Sequence, residues 1–258
     1  MGKKAVQDFI VIENRALNSS NFYIKLKSEF KLPDLRPGQF VNIDIKDSSE
    51  VFLRRPFSIF EVDASNNTIA IIVKVLGRGS KKLTEIKVGD VCNIVFPLGK
   101  GFTIPKSDER ILLIGGGSGV APMLFLSKVC GLPPENVNLL LGARTSEDHV
   151  NVDGYKNYGN LYFTTEDGSL GKKGFVTQHS VFTSNLKAFD KIYACGPDAM
   201  MRAVAKEAKV ANVFCEVSLE NLMACGIGVC LCCIEPTIHG NKCVCSDGPV
   251  FNINELKW

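Results

Sequence analysis

Ile111-Leu-Leu-Ile-Gly-Gly-Gly-Ser-Gly-Val-Ala-Pro-Met123 runs four aliphatic residues into a glycine-rich turn and then back into apolar residues. The aliphatic part reads as a buried parallel strand, and the part after Gly119 as the start of a helix. Such a junction points backbone N–H groups and a helix N-terminus at an anion, which suits a pyrophosphate. The spacing is not G-x-G-x-x-G, and a tight strand-to-helix turn without a ligand has the same look. The neighbouring segments therefore decide. Val137–Leu141, Leu161–Thr164 and Lys191–Ala194 are further short apolar runs. A helical stretch, Asp198–Ala208, follows Gly196-Pro197, with Asp198 as its expected N-cap. Alternating strands and helices predict an α/β domain with a parallel sheet. Ala194-Cys195-Gly196-Pro197 then ends the last strand, where open sheets of this kind bind ligands. Gly115, Gly116, Gly117, Ser118, Gly119, Cys195, Gly196 and Pro197 are thus one set of candidate site residues.

Upstream the texture is different. Phe40–Ile45, Thr68–Leu76 and Val91–Phe96 are short strands parted by Gly, Pro, Asn and Asp, and no helical stripe stands out. A small antiparallel β-barrel is the economical expectation. Two segments in it suit a phosphate. Arg55-Pro56-Phe57-Ser58 carries a guanidinium fork with an aromatic ring two residues on, and Gly77-Arg78-Gly79-Ser80 is expected as a turn with exposed amides and a hydroxyl.

Downstream lie the cysteines. Six of the ten fall between Cys225 and Cys245, in Cys225-Gly-Ile-Gly-Val-Cys-Leu-Cys-Cys233 and the Val-Cys-Ser-Asp-Gly-Pro-Val-Phe run around Cys245. Cys225, Cys230 and Cys233 keep the C-x4-C-x2-C spacing of plant-type [2Fe–2S] proteins. Thiolates that converge on one small inorganic core need a tightly wrapped chain, and Gly226 and Gly228 permit it. A zinc knuckle drawn from four of the six is an alternative, although zinc sites usually come as two close pairs. Cys92, Cys130, Cys195 and Cys215 are expected as small core or turn residues. His149, His179 and His239 are scattered and expected to be structural or exposed.

Composition removes several classes. The 258 residues carry a net charge of only +3, with no basic stripe for nucleic acid, and 45% hydrophobic content is enough for two cores. No apolar run resembles a signal peptide or a membrane span, so a cytoplasmic redox or metal protein is expected rather than a disulfide scaffold.

In this order, R-x-[FY]-S, G-x-G-[ST], G-G-G-S-G-x-A-P and C-G-P, the motifs resemble the ferredoxin–NADP reductase superfamily. The cysteine segment narrows the resemblance to the electron-transfer subunits of class 1B dihydroorotate dehydrogenase. What that resemblance implies is specific. Residues 1–103 would form an FAD-binding barrel, 104–214 an NAD-binding α/β domain, and 215–258 a [2Fe–2S] segment. Arg55, Pro56, Phe57 and Ser58 would contact FAD, as would Ile72, Val73, Lys74, Gly79 and Ser80. Cys225, Cys230, Cys233 and Cys245 would ligate the cluster, with Cys232 and Cys243 as departures from the usual pattern. The partner would be an FMN-containing catalytic subunit, in a heterotetramer with paired copies of each. Electrons would pass from dihydroorotate through that FMN, the cluster and FAD to NAD+, in pyrimidine biosynthesis. No catalytic dyad is expected in this chain. A ferredoxin-type NAD(P)H reductase, or the small subunit of another bifurcating or hydrogenase complex, is the alternative. Arg144 stands where a 2′-phosphate would sit, but Glu147 and Asp148 beside it argue for NAD.

Overall fold

The computed structural model describes residues 4–46, 50–150 and 153–258. Six strands come first: β1 (Ala5–Ala16), β2 (Asn21–Ser28), β3 (Phe40–Ile43), β4 (Arg55–Asp63), β5 (Thr68–Lys74) and β6 (Val91–Leu98). They close as an antiparallel barrel in the order β1-β2-β5-β4-β3-β6, which leaves no free sheet edge. Alternation along the strands turns Phe9, Val11, Ile24, Leu26, Ile43, Ile59, Ile71 and Phe96 into a filled interior. The expected strands are present with slightly different ends, and β1, β2 and β4 join them. One element goes against expectation. Arg78–Thr84 is a helix, α1, in which only Gly79 and Leu83 are buried. Seven residues with two inward positions leave no stripe for a sequence pattern to show.

The second layer is a parallel sheet. β7 (Ile111–Gly116), β8 (Val137–Ala143), β9 (Asn160–Thr165), β10 (Lys172–Lys173), β11 (Lys191–Cys195) and β12 (Phe214–Ser218) stand in the order β10-β9-β8-β7-β11-β12. Helix α2 (Val120–Val129) covers one face; α3 (Ser180–Thr183) and α4 (Asp198–Ala211) lie on the other. Leu112, Ile114, Ile192 and Ala194 meet Met201, Val204, Ala205 and Ala208 of α4. Leu113, Leu139 and Tyr193 meet Met123 and Leu124 of α2 in a core that also holds Tyr23, Phe60, Ala70 and Ile72 from the barrel's outer surface. Helix α2 is therefore clamped between the layers, and every residue from Val120 to Ser127 is buried. The N-cap of α4 is Pro197, not Asp198. Asp198 sits in the first turn, where it suits the helix dipole and pairs with Arg202 at 2.8 Å.

The last part is stitched into both layers. After β12 come the cysteine loop, a hairpin of β13 (Ile234–Thr237) and β14 (Gly240–Cys243), and β15 (Val250–Asn252), which returns antiparallel beside β12. The expected division between 214 and 215 thus falls inside β12. Cys233, Val244, Cys245 and Phe251 share one core with Phe40 and Leu98 of the barrel. Among the described residues no helix is long and apolar enough to cross a membrane.

Glu61 of the barrel pins the layers together. It accepts from Tyr23 Oη at 3.2 Å and from Tyr155 Oη at 2.9 Å, and lies 3.5 Å from Lys128 Nζ of α2. Burial and the Glu61 charge hold both phenols well above their ordinary range. Replacing Glu61 by Leu strands the buried Tyr155 hydroxyl, an expected loss of about 1–3 kcal/mol. Thermal unfolding should show this as a midpoint roughly 2–4 °C lower per kcal/mol. An unchanged midpoint would mean that this pin does not hold the layers.

A cofactor groove and a cysteine loop

Parallel pairing of β7 with β11 sets Gly115 opposite Cys195, so the glycine-rich turn and the Cys-Gly-Pro loop emerge at the same end of the sheet. They touch. A Cβ on Gly119 would overlap the Cys195 carbonyl and stand 2.6 Å from the Gly196 nitrogen. Gly116 likewise lies against Pro197 and Met200, at 2.9 and 2.7 Å from where its Cβ would be. The turn itself is a single 3-10 turn, Gly117–Gly119, feeding α2. Around Gly117 there is room, with only Lys74 Nζ at 3.7 Å, so the open flank faces the barrel.

A groove runs between the layers there. Its walls are Pro56, Phe57, Ser58, Ile72 and Lys74 from the barrel, Ser118 from the turn, Ala121 from α2, and Ser218, Glu220 and Met223 from the chain entering the cysteine loop. Pro56, Phe57 and Lys74 also line its continuation past Arg55, Gly77, Gly79 and Ser80. Gly79 has to be glycine for Arg55 to lie across the start of α1, because a Cβ would come 2.8 Å from Nε. The hydroxyl of Ser80 is already used. It accepts from the amides of Leu76 at 2.9 Å and Gly77 at 3.1 Å, so the first amides of α1, which have no partner within the helix, are the donors left for a phosphate among the described residues. Val73 turns its side chain, fully buried, into the barrel, while Ile72 and Lys74 on either side face the groove. Strand alternation carried that signal.

Cys195 is 1% exposed, and burial raises its thiol well above the ordinary range. Burial also raises Cys92, to about 11, and pushes Cys130 and Cys215 upward. All four are inert core thiols at neutral pH. Glu220 opens onto the groove yet is surrounded by enough protein that desolvation raises its carboxyl, with Lys74 opposing. Sequence reasoning did not single out Glu220, although it lies only five residues before Cys225.

In the cysteine loop, Gly226 and Gly228 take φ of +71° and +88°, which turns the chain around Cys225. The amides of Ile227, Val229 and Cys230 each point to Cys225 Sγ at 3.4 Å. Desolvation works against the thiolate, but those amides outweigh it and hold Cys225 down to about 6. Cys233 Sγ accepts from the Cys245 amide at 3.4 Å. Burial, then contact with Cys233 and its charge, push Cys245 up to about 12, so it keeps its proton until a cation replaces it. Backbone hydrogen bonds thus set Cys230 against Cys225 and Cys245 against Cys233. Among the described residues no group of three or more His, Cys, Asp or Glu is gathered as for a single metal ion. Cys232 is exposed, and Cys243 is half-buried with its amide on Asp247 at 2.9 Å. Against the loop lies Asn42, both of whose carboxamide atoms are buried without a partner among the described residues. Nothing local in the sequence marks it.

A barrel and a parallel sheet sharing one groove, with a thiol-rich loop at its end, define a flavin- and nicotinamide-dependent oxidoreductase with an iron–sulfur appendage. Comparisons with known proteins agree. Residues 9–102 match the family described as oxidoreductase FAD-binding domain, and 113–206 the oxidoreductase NAD-binding domain. Residues 220–257 match the iron–sulfur cluster binding domain of dihydroorotate dehydrogenase B. Proteins named dihydroorotate dehydrogenase B (NAD(+)), electron transfer subunit, are similar over nearly their whole length. That of Fusobacterium nucleatum is 36% identical over 98% of each chain, and that of Caldanaerobacter subterraneus 38% over 95% of this chain and 96% of its own. The chain belongs to this family of electron transfer subunits. Among solved structures, an NADH-dependent reduced ferredoxin-NADP oxidoreductase studied for flavin-based electron bifurcation is 30% identical. It superposes with a TM-score of 0.85 over 100% of this chain and 92% of that one.

Gly119 and Gly77 separate packing from mere composition. Gly119→Ala forces the turn away from Cys195 and should cost about 1–3 kcal/mol, as overpacked sites do. It should also weaken NADH binding in a fluorescence titration. Gly77→Ala meets open space and should shift stability by no more than about 0.5 kcal/mol. Equal behaviour of the two variants would contradict the contact.

Proposed function

We propose that this chain passes electrons from an FMN-containing dihydroorotate dehydrogenase subunit to NAD+, in a cytoplasmic heterotetramer that supports orotate formation. The observation that carries this is the shared groove. Its walls come from the barrel strand β4, the glycine-rich turn and the segment leading straight into the cysteine loop. One site therefore borders both the place for a nicotinamide and the place for a cluster.

The donor set fits the groups that the family binds. Arg55, with the free amides at the start of α1, would hold the FAD pyrophosphate, and Pro56, Phe57, Ser58, Ile72 and Lys74 would flank the ring. Val73 contributes only through its backbone. The turn Gly115–Gly119 and Cys195-Gly196-Pro197 would receive NAD. Cys225, Cys230, Cys233 and Cys245 would hold a [2Fe–2S] core. When bound, the flavin supplies exchange between the hydride of nicotinamide and the single electrons of the cluster. The chain's own residues bind and orient. The amides on Cys225 favour its thiolate, the Gly119 contact aligns the two nicotinamide loops, and Glu220 and Lys74 both line the groove. No side chain has to act as a base on dihydroorotate; that duty falls to the partner. Arg144 beside Glu147 and Asp148 suits NAD rather than NADP.

A second role has one observation in its favour. The likeness to the bifurcating oxidoreductase spans the whole chain, so a small subunit of another complex would have the same architecture. Co-expression with an FMN subunit, followed by assay of dihydroorotate-dependent NAD+ reduction, separates the two. No such activity in a stable complex would overturn the dihydroorotate reading.

Leu222, Val229 and Leu231 are 86%, 75% and 58% exposed around the cysteines, an apolar patch fit for the partner contact. Val229→Glu and Leu231→Glu should block assembly and dihydroorotate-dependent NAD+ reduction. NADH oxidation by an artificial acceptor should survive. Loss of both activities together with iron would make these side chains the cluster's shell rather than an interface.

Electron paramagnetic resonance of the dithionite-reduced chain tests the ligands. Cys245→Ser should abolish or destabilise the cluster signal, since a hard oxygen replaces a soft thiolate, and Cys243→Ser should leave it intact. The reverse pattern would exchange the fourth ligand.

A further inference from the structure

Asn42 sits on β3 and is 1% exposed. Neither Nδ2 nor Oδ1 has a partner among the described residues. Buried polar groups left in this state are rare and call for a ligand that completes them. Asn14 and Asn18 are each short of one bond, but their other amide ends are satisfied. Asn42 lacks both.

Its place says what the missing partner is. A Cβ on Gly226 would stand 2.8 Å from Asn42 Nδ2, so the carboxamide abuts the backbone that follows Cys225. Across the barrel wall Asn42 pairs with Pro56, a residue of the groove. The three amides aimed at Cys225 come from the loop itself, and Asn42 approaches from the barrel. Thiolate and sulfide sulfurs accept hydrogen bonds and do not donate them, so the NH2 end is the one that serves there.

We propose that Asn42 donates a hydrogen bond from Nδ2 to the sulfur of the cluster bound by the cysteine loop, a positioning residue that ties barrel to loop and raises the cluster's reduction potential. This rests on the reading that Cys225, Cys230, Cys233 and Cys245 hold a [2Fe–2S] cluster. A donor at sulfur stabilises the reduced, more negative core, so its removal moves the potential downward.

The test uses the purified full-length chain with its cofactors, in wild-type, Asn42→Leu and Asn42→Asp forms. Iron and FAD content, unfolding temperature and the midpoint potential from a resonance-monitored redox titration are measured for each. Both variants should retain iron and FAD and show more negative midpoints than wild type. An exchangeable-proton coupling seen in electron–nuclear double resonance of the reduced wild type, and lost in deuterated water, should be missing from Asn42→Leu. A loaded Asn42→Leu cluster with an unmoved midpoint overturns the proposal. So does loss of iron from both variants at unchanged FAD content and unfolding temperature, which would make Asn42 a part of loop folding only. Absence of iron from the wild type would sink the cluster reading itself, and this inference with it.

Discussion

The Cys195 carbonyl fills the space where any side chain on Gly119 would have to be. That contact joins the ends of two parallel strands, β7 and β11, whose register already sets Gly115 against Cys195. It also fixes the entry of α2, which starts one residue later and has its first eight residues buried between sheet and barrel. The position of α2 in turn sets how the barrel's outer face meets the sheet, and so the shape of the groove. A side chain at position 119 would not simply remove one interaction. It would shift the element on which both layers are packed.

Polar pins complete what apolar packing begins. Glu61 reaches Tyr155 and Lys128 across the layers, and Glu216 holds the Thr103 amide at 2.9 Å and its hydroxyl at 2.7 Å. Tyr193 closes the same corner by donating to the Thr103 carbonyl at 2.7 Å. These are directional bonds in half-buried surroundings, where a lost partner leaves a stranded group. They hold the connection between barrel and sheet at one angle, which a layer of aliphatic side chains would not do alone.

The cysteine loop works on the opposite principle. It has little apolar burial of its own, and its turns rely on Gly226 and Gly228. Its order comes from amides converging on Cys225, from Cys233 and Cys245 buried against Phe40 and Leu98, and from β15 returning to the sheet. The thiols differ accordingly. Cys225 is poised as a thiolate by its amides, whereas burial keeps Cys245 protonated in the chain by itself. Such a loop is pre-shaped on one side and completed by what it binds.

The nucleotide turn, the Cys-Gly-Pro loop, the arginine strand and the cysteine spacing were legible in the sequence, because each packs its chemistry into a few contiguous residues. The short α1 was not legible, since two buried positions make no period. The inward turn of the Val73 side chain was available from strand alternation. Glu61 and Tyr155 carried no local signal, because their partners lie far along the chain, and Asn42 carried none because the Gly226 backbone it abuts is equally remote. Thus the sequence by itself determined the fold class, the three parts and the candidate residues for each cofactor. Only the tertiary structure decided that the three parts share one groove, and that a buried carboxamide from the barrel stands against Gly226. Barrel closure and the docking of α2 bring those distant residues together, and neither leaves a periodic trace in the chain.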